Sequence, residues 1–284
     1  LGPFVEFVPV CPEVECGLGV PREAMRLIGT MDNPRLMTSK SGIDHTDRMK
    51  EWARRKVREL EGENLCGFIF KSKSPSSGME RVRVYRPDKT GYVGTRPGMF
   101  AEMVMAHFPM LPVEEDGRLH DIALRENFIE QIFVYRRWRN LVDSHFTTGD
   151  LVAFHTEHKL LLMAHSITQY RTMGALVAQA KKYPRSELVQ NYEACLMKAL
   201  RLKATVKKHT NVLQHMMGYF KNVLAPEEKQ ELLDLIETYR KGYYPLIVPI
   251  TLINHYVRKY GEKYLARQHY LNLHPTELKL RNHA

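Results

Sequence analysis

Hydrophobic positions in residues 1–120 alternate between short β-rich runs and stretches with helical spacing. Three runs predict strands, at residues 4–10, 65–70 and 81–85. Apolar residues recur every three or four positions in two further stretches, which predicts amphipathic helices at residues 46–60 and 99–108. A strand, a helix and a second strand in this order favour a right-handed parallel crossover. We therefore expect an α/β domain in this part of the chain.

This α/β domain is expected to be Rossmann-like, with its functional loops at one edge of the sheet. The loop after residues 4–10 and the loop at residues 71–79 each follow a predicted strand, so the two should converge there. A domain of this type does not begin with the strand that leads directly into its site. We therefore expect that its first strand is missing from the chain, through truncation or lack of order.

Strand patterns fade after about Asp121, and long stretches with helical spacing continue from there. Helix breaks are expected at Gly149, Pro184, Pro226, Gly242 and Gly261. Pro226 and the two glutamates after it are typical of the first turn of a helix, which should run to Tyr239. The sequence therefore predicts two domains, an α/β domain at residues 1–120 and an all-α domain at residues 121–284.

Charge distinguishes the two halves. Residues 1–120 hold 18 Lys and Arg against 17 Asp and Glu, whereas residues 121–284 hold 24 against 15. A basic excess confined to one half is typical of a domain that binds a polyanion such as RNA, and a generic basic surface explains it equally well. No run of 18 apolar residues and no secretory signal pattern occurs. We expect a cytoplasmic protein that does not bind a membrane.

Two motifs carry the candidate chemistry of the first half. Residues 9–22 contain Pro-Val-Cys-Pro-Glu and end in Pro-Arg, and residues 71–78 read Lys-Ser-Lys-Ser-Pro-Ser-Ser-Gly. Together they resemble the DUF523 family of TudS-like thiouracil desulfidases, and the resemblance covers most of residues 1–120. It implies a 4Fe-4S cluster held by three cysteines, whose fourth iron stays open and takes sulfur from a thiolated uracil.

The resemblance also implies roles for single residues. Cys11 would be a cluster ligand, and Glu13 would move protons or orient the water that replaces sulfur. Ser74 and Ser76 match serines that contact the substrate or an intermediate. Arg22 matches the arginine of the Pro-Arg pair, which would bind substrate or pair with a carboxylate of its own domain.

One ligand position departs from the family pattern. Ser77 stands where the family's loop has a cysteine, as an engineered or a natural replacement, and a neutral hydroxyl is a poor substitute for a thiolate. The remaining family ligand belongs to an amino-terminal Cys-Leu-Leu-Gly motif, which has no counterpart in this sequence. Cys16 is a weaker candidate for a replacement ligand. We therefore expect the cluster to be absent or incomplete in this chain, and the chain to be inactive.

The second half resembles the DUF1722 family of YbgA-like proteins from about Leu124 onward. The shared strings include Phe-His-Thr-Glu-His-Lys-Leu at residues 154–160, Lys-Lys-His-Thr-Asn-Val-Leu-Gln-His at residues 207–215 and Pro-Leu-Ile-Val-Pro-Ile-Thr-Leu at residues 245–252. A fusion of the two families implies a desulfidase that converts 4-thiouridine in tRNA to uridine by hydrolysis, without net redox change. The alternatives are a desulfidase of free thiouracil-type bases and a non-catalytic RNA-binding protein.

Cations and rings recur together in the second half, as RNA binding requires. The candidate RNA-binding residues are Lys203, Lys207, Lys208, Lys221, Arg240 and Arg258. The nearby rings are Tyr219, Phe220, Tyr239, Tyr243 and Tyr256, although rings at helical spacing are more often core residues. The histidines at 155, 158, 165, 209 and 215 lack the converging ligand pattern of a zinc site. Core hydrogen bonding, capping or RNA contact is the favoured interpretation.

Overall fold

The structure is a computed structural model and describes residues 2–88, 90–273, 275, 278 and 280–282. The chain divides into two compact units, Leu1–Asp121 and Ile122–Ala284. The first unit mixes helices with strands, and the second is built from helices. The predicted order of an α/β region followed by an all-α region is therefore confirmed. No helix in the described ranges has the length and apolar character needed to cross a membrane.

The elements of the first unit form a mixed sheet, a second small sheet and three helices. They are α1 (Pro12–Glu15), β1 (Met25–Gly29), β2 (Pro34–Thr38), α2 (Thr46–Glu59), β3 (Phe68–Phe70), β4 (Val82–Tyr85), β5 (Tyr92–Arg96), α3 (Met99–His107) and β6 (Val113–Glu115). The strand order of the larger sheet is β2-β1-β4-β5, in which β1 and β4 are parallel and both outer pairs are antiparallel. Strands β3 and β6 form a separate parallel pair. A Rossmann-like arrangement stays a prediction.

The core of the first unit lies between the four-stranded sheet and helices α2 and α3. Every second residue of the strands points inward, so that Leu27 and its neighbour Val84 are fully buried. The rings of Trp52 from α2 and Phe100 from α3 pack against each other with their centroids 4.9 Å apart. Helical spacing on α2 and α3 therefore reflects the face that covers the sheet, as the apolar periodicity predicted.

The predicted strand at residues 4–10 is wrong. Gly2–Phe4 is a short 3-10 helix, and residues 5–10 have no regular structure. Pro3 and Pro9 lack the N–H that a strand ladder needs, and Phe7 is 62% exposed, so the apolar run has no buried face. The predicted crossover from this run is therefore also wrong. The parallel pair of the larger sheet joins β1 to β4 instead.

The other elements of the first unit were predicted with mixed success. Residues 81–85 form β4, and residues 46–60 and 99–108 match α2 and α3 within a residue or two. Residues 65–70 shorten to β3. Strands β1, β2, β5 and β6 were missed, because each contains a glycine, a proline or two glutamates, residue types that are depleted in strands.

The second unit contains nine α-helices within the described ranges. They are α4 (Ile122–Asp143), α5 (Thr148–Glu157), α6 (Lys159–His165), α7 (Ile167–Ala178), α8 (Arg185–Leu200), α9 (Val206–Met217), α10 (Pro226–Arg240), α11 (Ile247–Tyr260) and α12 (Lys263–Ala266). The predicted break at Pro184 is confirmed, since Pro184 is the N-cap of α8, and Pro226 begins α10 as predicted. Gly242 and Gly261 follow helices at positive φ, a region that glycine adopts without strain.

The predicted break at Gly149 is misplaced by a few residues. Gly149 lies in the first turn of α5, and the chain turns before it. Thr147 caps this helix through a capping box with Asp150, whose carboxylate accepts a hydrogen bond from the Thr147 amide at 2.7 Å. A threonine cap, rather than the glycine, therefore marks the boundary.

A buried ionic network ties the last described residues to the helices of the second unit. Arg281 Nη2 donates to Glu130 Oε1 at 2.8 Å, and both side chains are buried. His165 Nε2 lies 3.1 Å from Glu130 Oε2. Burial alone would raise the pKa of Glu130, but the attraction of Arg281 and the hydrogen bond with His165 outweigh it and hold that pKa well below its usual range. The network joins α4 and α6 to a segment far along the chain.

Arg281→Ala is expected to destabilise the second unit strongly, by about 3–5 kcal/mol, because it leaves the Glu130 carboxylate buried and unpaired. Urea unfolding followed by far-UV circular dichroism measures this loss. Since the pKa of Glu130 is lowered by folding, the network contributes fully at neutral pH and its contribution falls as the pH drops below about 4. The effect of the substitution should therefore shrink in acid.

Arg240→Ala is the matched control, because Arg240 forms an exposed ion pair with Glu237. This variant should leave the unfolding free energy essentially unchanged. Equal effects of the two substitutions would contradict the assigned role of the buried network.

Candidate functional site

The two sequence motifs of the first unit meet at the carboxylate of Glu13. Glu13 lies in the first turn of α1, which begins at Pro12 directly after Cys11. Its Oε1 accepts hydrogen bonds from Ser74 Oγ at 3.3 Å and from Ser76 Oγ, and the two serine hydroxyls lie 2.9 Å apart. The loops that were predicted to converge are therefore in contact. The contact joins the start of a helix to a loop, rather than the ends of two adjacent strands.

Arg22 and Cys11 complete this cluster on the other oxygen of Glu13. Arg22 Nη2 lies 3.6 Å from Glu13 Oε2 and 3.9 Å from Cys11 Sγ. Cys11 Sγ lies 3.9 Å from Glu13 Oε2. Of the two roles left open for Arg22, pairing with a carboxylate of its own domain is observed. The cluster places a thiol, a carboxylate, a guanidinium and two hydroxyls within reach of one small molecule.

Helix α2 holds the motif that contains Cys11 and Glu13 in place. Lys56 Nζ forms an ion pair with Glu15 Oε2 at 3.0 Å, and Glu15 Oε1 accepts a hydrogen bond from the Cys11 amide at 2.9 Å. Arg48 donates to the carbonyl oxygens of Cys16 at 2.5 Å and Gly17 at 2.8 Å. Gly17 has a φ of +88°, and a Cβ there would collide with the Arg48 guanidinium. These positioning residues lie on an ordinary helix, and no motif marks them in the sequence.

The serine loop is anchored on the start of α3. The carbonyl of the fully buried Ser76 accepts hydrogen bonds from the amides of Phe100 at 2.8 Å and Ala101 at 3.1 Å. Gly98 packs directly on this backbone, since a Cβ there would lie 2.6 Å from the Ser76 carbonyl carbon. The buried carboxylate of Glu115 accepts from the Met79 amide at 3.0 Å. The serine hydroxyls are therefore held in position before any ligand binds.

Ser77 and Cys16 are both buried beside this cluster. Ser77 is 8% exposed, and its amide donates to Ser74 Oγ at 3.2 Å. Cys16 packs in the hydrophobic core, where its Sγ donates to the Glu13 carbonyl at 3.3 Å. Burial raises the pKa of the Cys16 thiol, which disfavours the thiolate that a metal requires. These contacts are those of a core thiol.

The side chains present do not fit a cluster held by three thiolates. Among the described side chains around Glu13, Cys11 supplies the one partly exposed thiol. Ser74, Ser76 and Ser77 supply neutral hydroxyls. No three His, Cys, Asp or Glu side chains converge as metal ligands anywhere in the described residues. Iron-sulfur clusters are bound by thiolates, with imidazole as the occasional replacement. The residues present differ from the family's ligand set at Ser77, as the family motif indicated in the sequence.

Two of the six predicted RNA-binding cations already have partners inside the second unit. Lys208 Nζ donates to the His165 carbonyl at 2.6 Å, and Arg240 forms two hydrogen bonds to Glu237, at 2.7 and 2.6 Å. The remaining four are exposed to solvent, namely Lys203, Lys207, Lys221 and Arg258. Contact of all six with RNA stays a prediction, and these four are better candidates than Lys208 and Arg240.

The rings near these cations divide into core and surface residues. Phe220, Tyr239 and Tyr256 are buried, so the core interpretation holds for them. Tyr219 is 37% exposed and Tyr243 is 74% exposed. Tyr219 is already stacked on Tyr264, with the ring centroids 4.9 Å apart, whereas Tyr243 remains able to stack on a base.

Four of the five histidines make hydrogen bonds inside the helical core. Their ring nitrogens contact Tyr192 Oη for His155, the Phe154 carbonyl for His158, Glu130 and the Leu202 carbonyl for His165, and Tyr270 Oη for His209. Burial lowers the pKa of His209 to about 3 and that of His155 to about 4, so both rings are neutral at physiological pH. The interpretation of core hydrogen bonding is confirmed for these four.

Comparisons with known proteins agree with the division into two units. Residues 1–116 match the family profile described as 2-thiouracil desulfurase, and residues 159–275 match the one described as protein of unknown function (DUF1722). The uncharacterized protein YbgA of Escherichia coli (strain K12) is 34% identical over 153 residues, which cover 54% of this chain and 90% of YbgA. The solved 4Fe-4S-dependent thiouracil desulfidase TudS is 24% identical with a TM-score of 0.31, and the match covers 40% of this chain and 70% of TudS.

Iodoacetamide is expected to label Cys11 about tenfold faster than Cys16, because Cys11 is partly exposed and burial raises the pKa of the Cys16 thiol. Mass spectrometry of the two cysteine-containing peptides over time measures both rates. Cys11→Ser should remove the faster phase of labelling in this region, and Cys16→Ser should leave it unchanged. Similar rates at the two thiols would show that the burial of Cys16 is wrongly described.

Proposed function

Because this chain belongs to the family of YbgA and carries a 2-thiouracil desulfurase domain ahead of its DUF1722 domain, we propose that it is a desulfidase of thiolated uracil. The observation that carries the proposal is the position of the Glu13 carboxylate. It lies between the hydroxyls of Ser74 and Ser76 on one side and the Arg22 guanidinium on the other. Two motifs far apart in sequence thus bring a carboxylate, a guanidinium and two hydroxyls together around Glu13.

The proposed reaction replaces the sulfur of a C=S group with the oxygen of water. Water adds to the carbon, one of its protons passes to Glu13 and the other to the sulfur, and the C–S bond breaks as hydrosulfide leaves, so no electrons are gained or lost overall. Glu13 accepts a proton from the attacking water, a role that requires an ionised carboxylate held by fixed donors. The Arg22 guanidinium donates to an oxygen or sulfur atom of the ring, and Ser74 and Ser76 keep Glu13 oriented.

The proposed substrate is 4-thiouridine within tRNA. The helical half has a formal charge of +9, from 24 basic and 15 acidic residues, and exposes Lys203, Lys207, Lys221 and Arg258. A polyanion fits such a surface because phosphate neutralisation dominates the binding of nucleic acids. A free thiouracil base would not need this second unit, so the charge favours the polynucleotide.

Ser77 supports a second candidate function for the chain as it stands. The protein keeps Glu13, Arg22 and both serines, but a hydroxyl occupies the position of a family ligand. A chain with such a site can bind thiolated RNA without converting it. We propose that Ser77 is what separates this binding function from catalysis.

Ser77→Cys is expected to increase the iron and acid-labile sulfide bound per chain after anaerobic reconstitution, because it adds a second thiolate beside Cys11. Colorimetric iron and sulfide determination compares the variant with the unchanged chain. Adding Cys11→Ser to the variant should abolish the gain, and adding Cys195→Ser should preserve it. A variant that binds no more iron than the unchanged chain would refute the role given to position 77.

The reconstituted Ser77→Cys protein is expected to lower the 4-thiouridine content of tRNA, measured by nucleoside mass spectrometry. Adding Glu13→Gln should slow this conversion by about a hundredfold, because it removes the proton acceptor. Glu51→Gln, an exposed carboxylate on α2, is the matched control and should not slow it.

The same assay separates the alternatives. Conversion of free 4-thiouracil with tRNA left unchanged would replace the polynucleotide substrate by a free base. Binding of tRNA with no conversion of either substrate would support the non-catalytic function instead.

A further inference from the structure

The four-stranded sheet has one face covered by helices and one face left open in the first unit. Strand partners lie on the same face, and the fully buried Leu27 and Val84 are partners on the covered side. Ile28 pairs with Tyr85 on the opposite side, and Arg83 follows there by alternation along β4. The open face is therefore continuous across β1 and β4.

The same alternation extends this face to both outer strands. Arg26 pairs with Met37 of β2, Ile28 pairs with Arg35 of β2, and Tyr85 pairs with Tyr92 of β5. We define the open sheet face by Arg26, Ile28, Arg35, Met37, Arg83, Tyr85 and Tyr92. Its members come from all four strands.

The charge of these strands has one sign. Strands β1, β2, β4 and β5 contain four arginines and no Asp or Glu. Arg96 belongs to the covered side, where its guanidinium bonds to Glu102 of α3 and to the Met31 carbonyl at 2.6 Å. On the open side, Arg35 is paired with Asp44 at 2.7 Å. Arg26 Nε donates to the neutral Ser39 Oγ at 3.2 Å. Among the described residues neither Arg26 nor Arg83 pairs with a carboxylate, so both keep their charge available to an external anion.

Rings and guanidinium groups are interleaved on the open sheet face. The Arg26 Cζ lies 5.3 Å from the centre of the Tyr85 ring, and the Arg83 Cζ lies 5.0 Å from the centre of the Tyr92 ring. Tyr92 is 51% exposed, which is high for a ring on a sheet. In each pair the guanidinium lies over the ring, so the pair presents a cation stacked on an aromatic face.

This composition fits single-stranded nucleic acid better than a protein or a lipid surface. Nucleobases stack on aromatic rings and on arginine planes, and the phosphates between them need cations without competing carboxylates. Sheet faces that carry rings are a known means of holding two or three unpaired bases. A protein partner with acidic groups would be drawn to the arginines but would leave the paired rings without a function.

We propose that the open sheet face binds a single-stranded segment of RNA, with phosphates at Arg26 and Arg83 and bases stacked on Tyr92 and Tyr85. The inference rests on the RNA substrate of the proposed function and adds a second RNA-binding surface, on the unit that carries Glu13. The DUF1722 unit would then not be the sole source of RNA affinity. Recognition would be shared between a basic helical surface and a ring-bearing sheet.

The test measures binding of the full chain to a short fluorescent oligouridine RNA by anisotropy at several salt concentrations. Arg83→Gln and Tyr92→Ala are each expected to raise the Kd about tenfold, because one removes a phosphate contact and the other a stacking surface. Arg83→Gln should also reduce the slope of log Kd against log salt by about one. Arg83→Lys should keep the slope of the unchanged chain, since it keeps the positive charge that Arg83→Gln removes.

Arg54→Gln is the matched control, an exposed arginine on helix α2, which packs on the covered side of the sheet. It removes the same charge and should leave the Kd within about twofold. Thermal melts by circular dichroism establish that each variant is folded.

An unchanged Kd for both folded sheet variants overturns the proposal. A changed sedimentation coefficient with unchanged RNA affinity also overturns it, because the face would then be an interface between copies of the chain. The measurement requires neither metal nor turnover. A negative result in the desulfidase assay therefore does not affect the RNA-binding result. A negative RNA-binding result likewise leaves the proposed reaction to be tested by the conversion assay.

Discussion

The carboxylate of Glu13 is the interaction on which the candidate site depends. It accepts hydrogen bonds from two serines of one loop and faces an arginine and a cysteine of the other, so it joins segments that no strand pairing connects. Ser76 is fully buried, and loss of the Glu13 acceptor would leave its hydroxyl with the Ser74 hydroxyl as its side-chain partner. The Lys56 pair with Glu15 and the helix α3 amides hold the two sides at the distance that this contact needs. The geometry is thus built into the folded domain.

The second unit uses its polar groups differently. Four polar side chains form hydrogen bonds inside the helical core, namely Glu130, Arg281, His165 and His209. Their burial is tolerated because each has a partner. Histidines that look suited to catalysis or metal binding in the sequence are thereby accounted for. The net positive charge of this half is carried by its lysines and arginines, and charge at a protein surface affects association more than the stability of the fold.

The sequence was informative where one periodicity or one motif dominated. Helices α2, α3 and α10 follow from apolar spacing and from the proline at the start of α10, and the two motifs led to Cys11, Glu13, Ser74 and Ser76. The strand predicted at residues 4–10 is wrong because an apolar alternating run forms a strand only where it can pair with a sheet. Its proline and its exposed side chains prevent such pairing here. Arg48, Lys56 and Glu115 could not have been predicted, since their roles depend on which loop the tertiary fold places beside them.

The site around Ser77 shows that forming the hydrogen-bonded Glu13 site and binding a metal are separable demands on this part of the fold. The first requires a carboxylate, a guanidinium and hydroxyls in fixed positions, and those contacts are present without any thiolate. The second requires several thiolates at one point, since neutral hydroxyls do not hold iron-sulfur clusters. A substitution at Ser77 therefore changes the metal site while the carboxylate contacts of Ser74 and Ser76 persist, because those are made by the side chains of other residues. The hydrogen-bonded frame around Glu13 thus does not depend on the side chain at position 77.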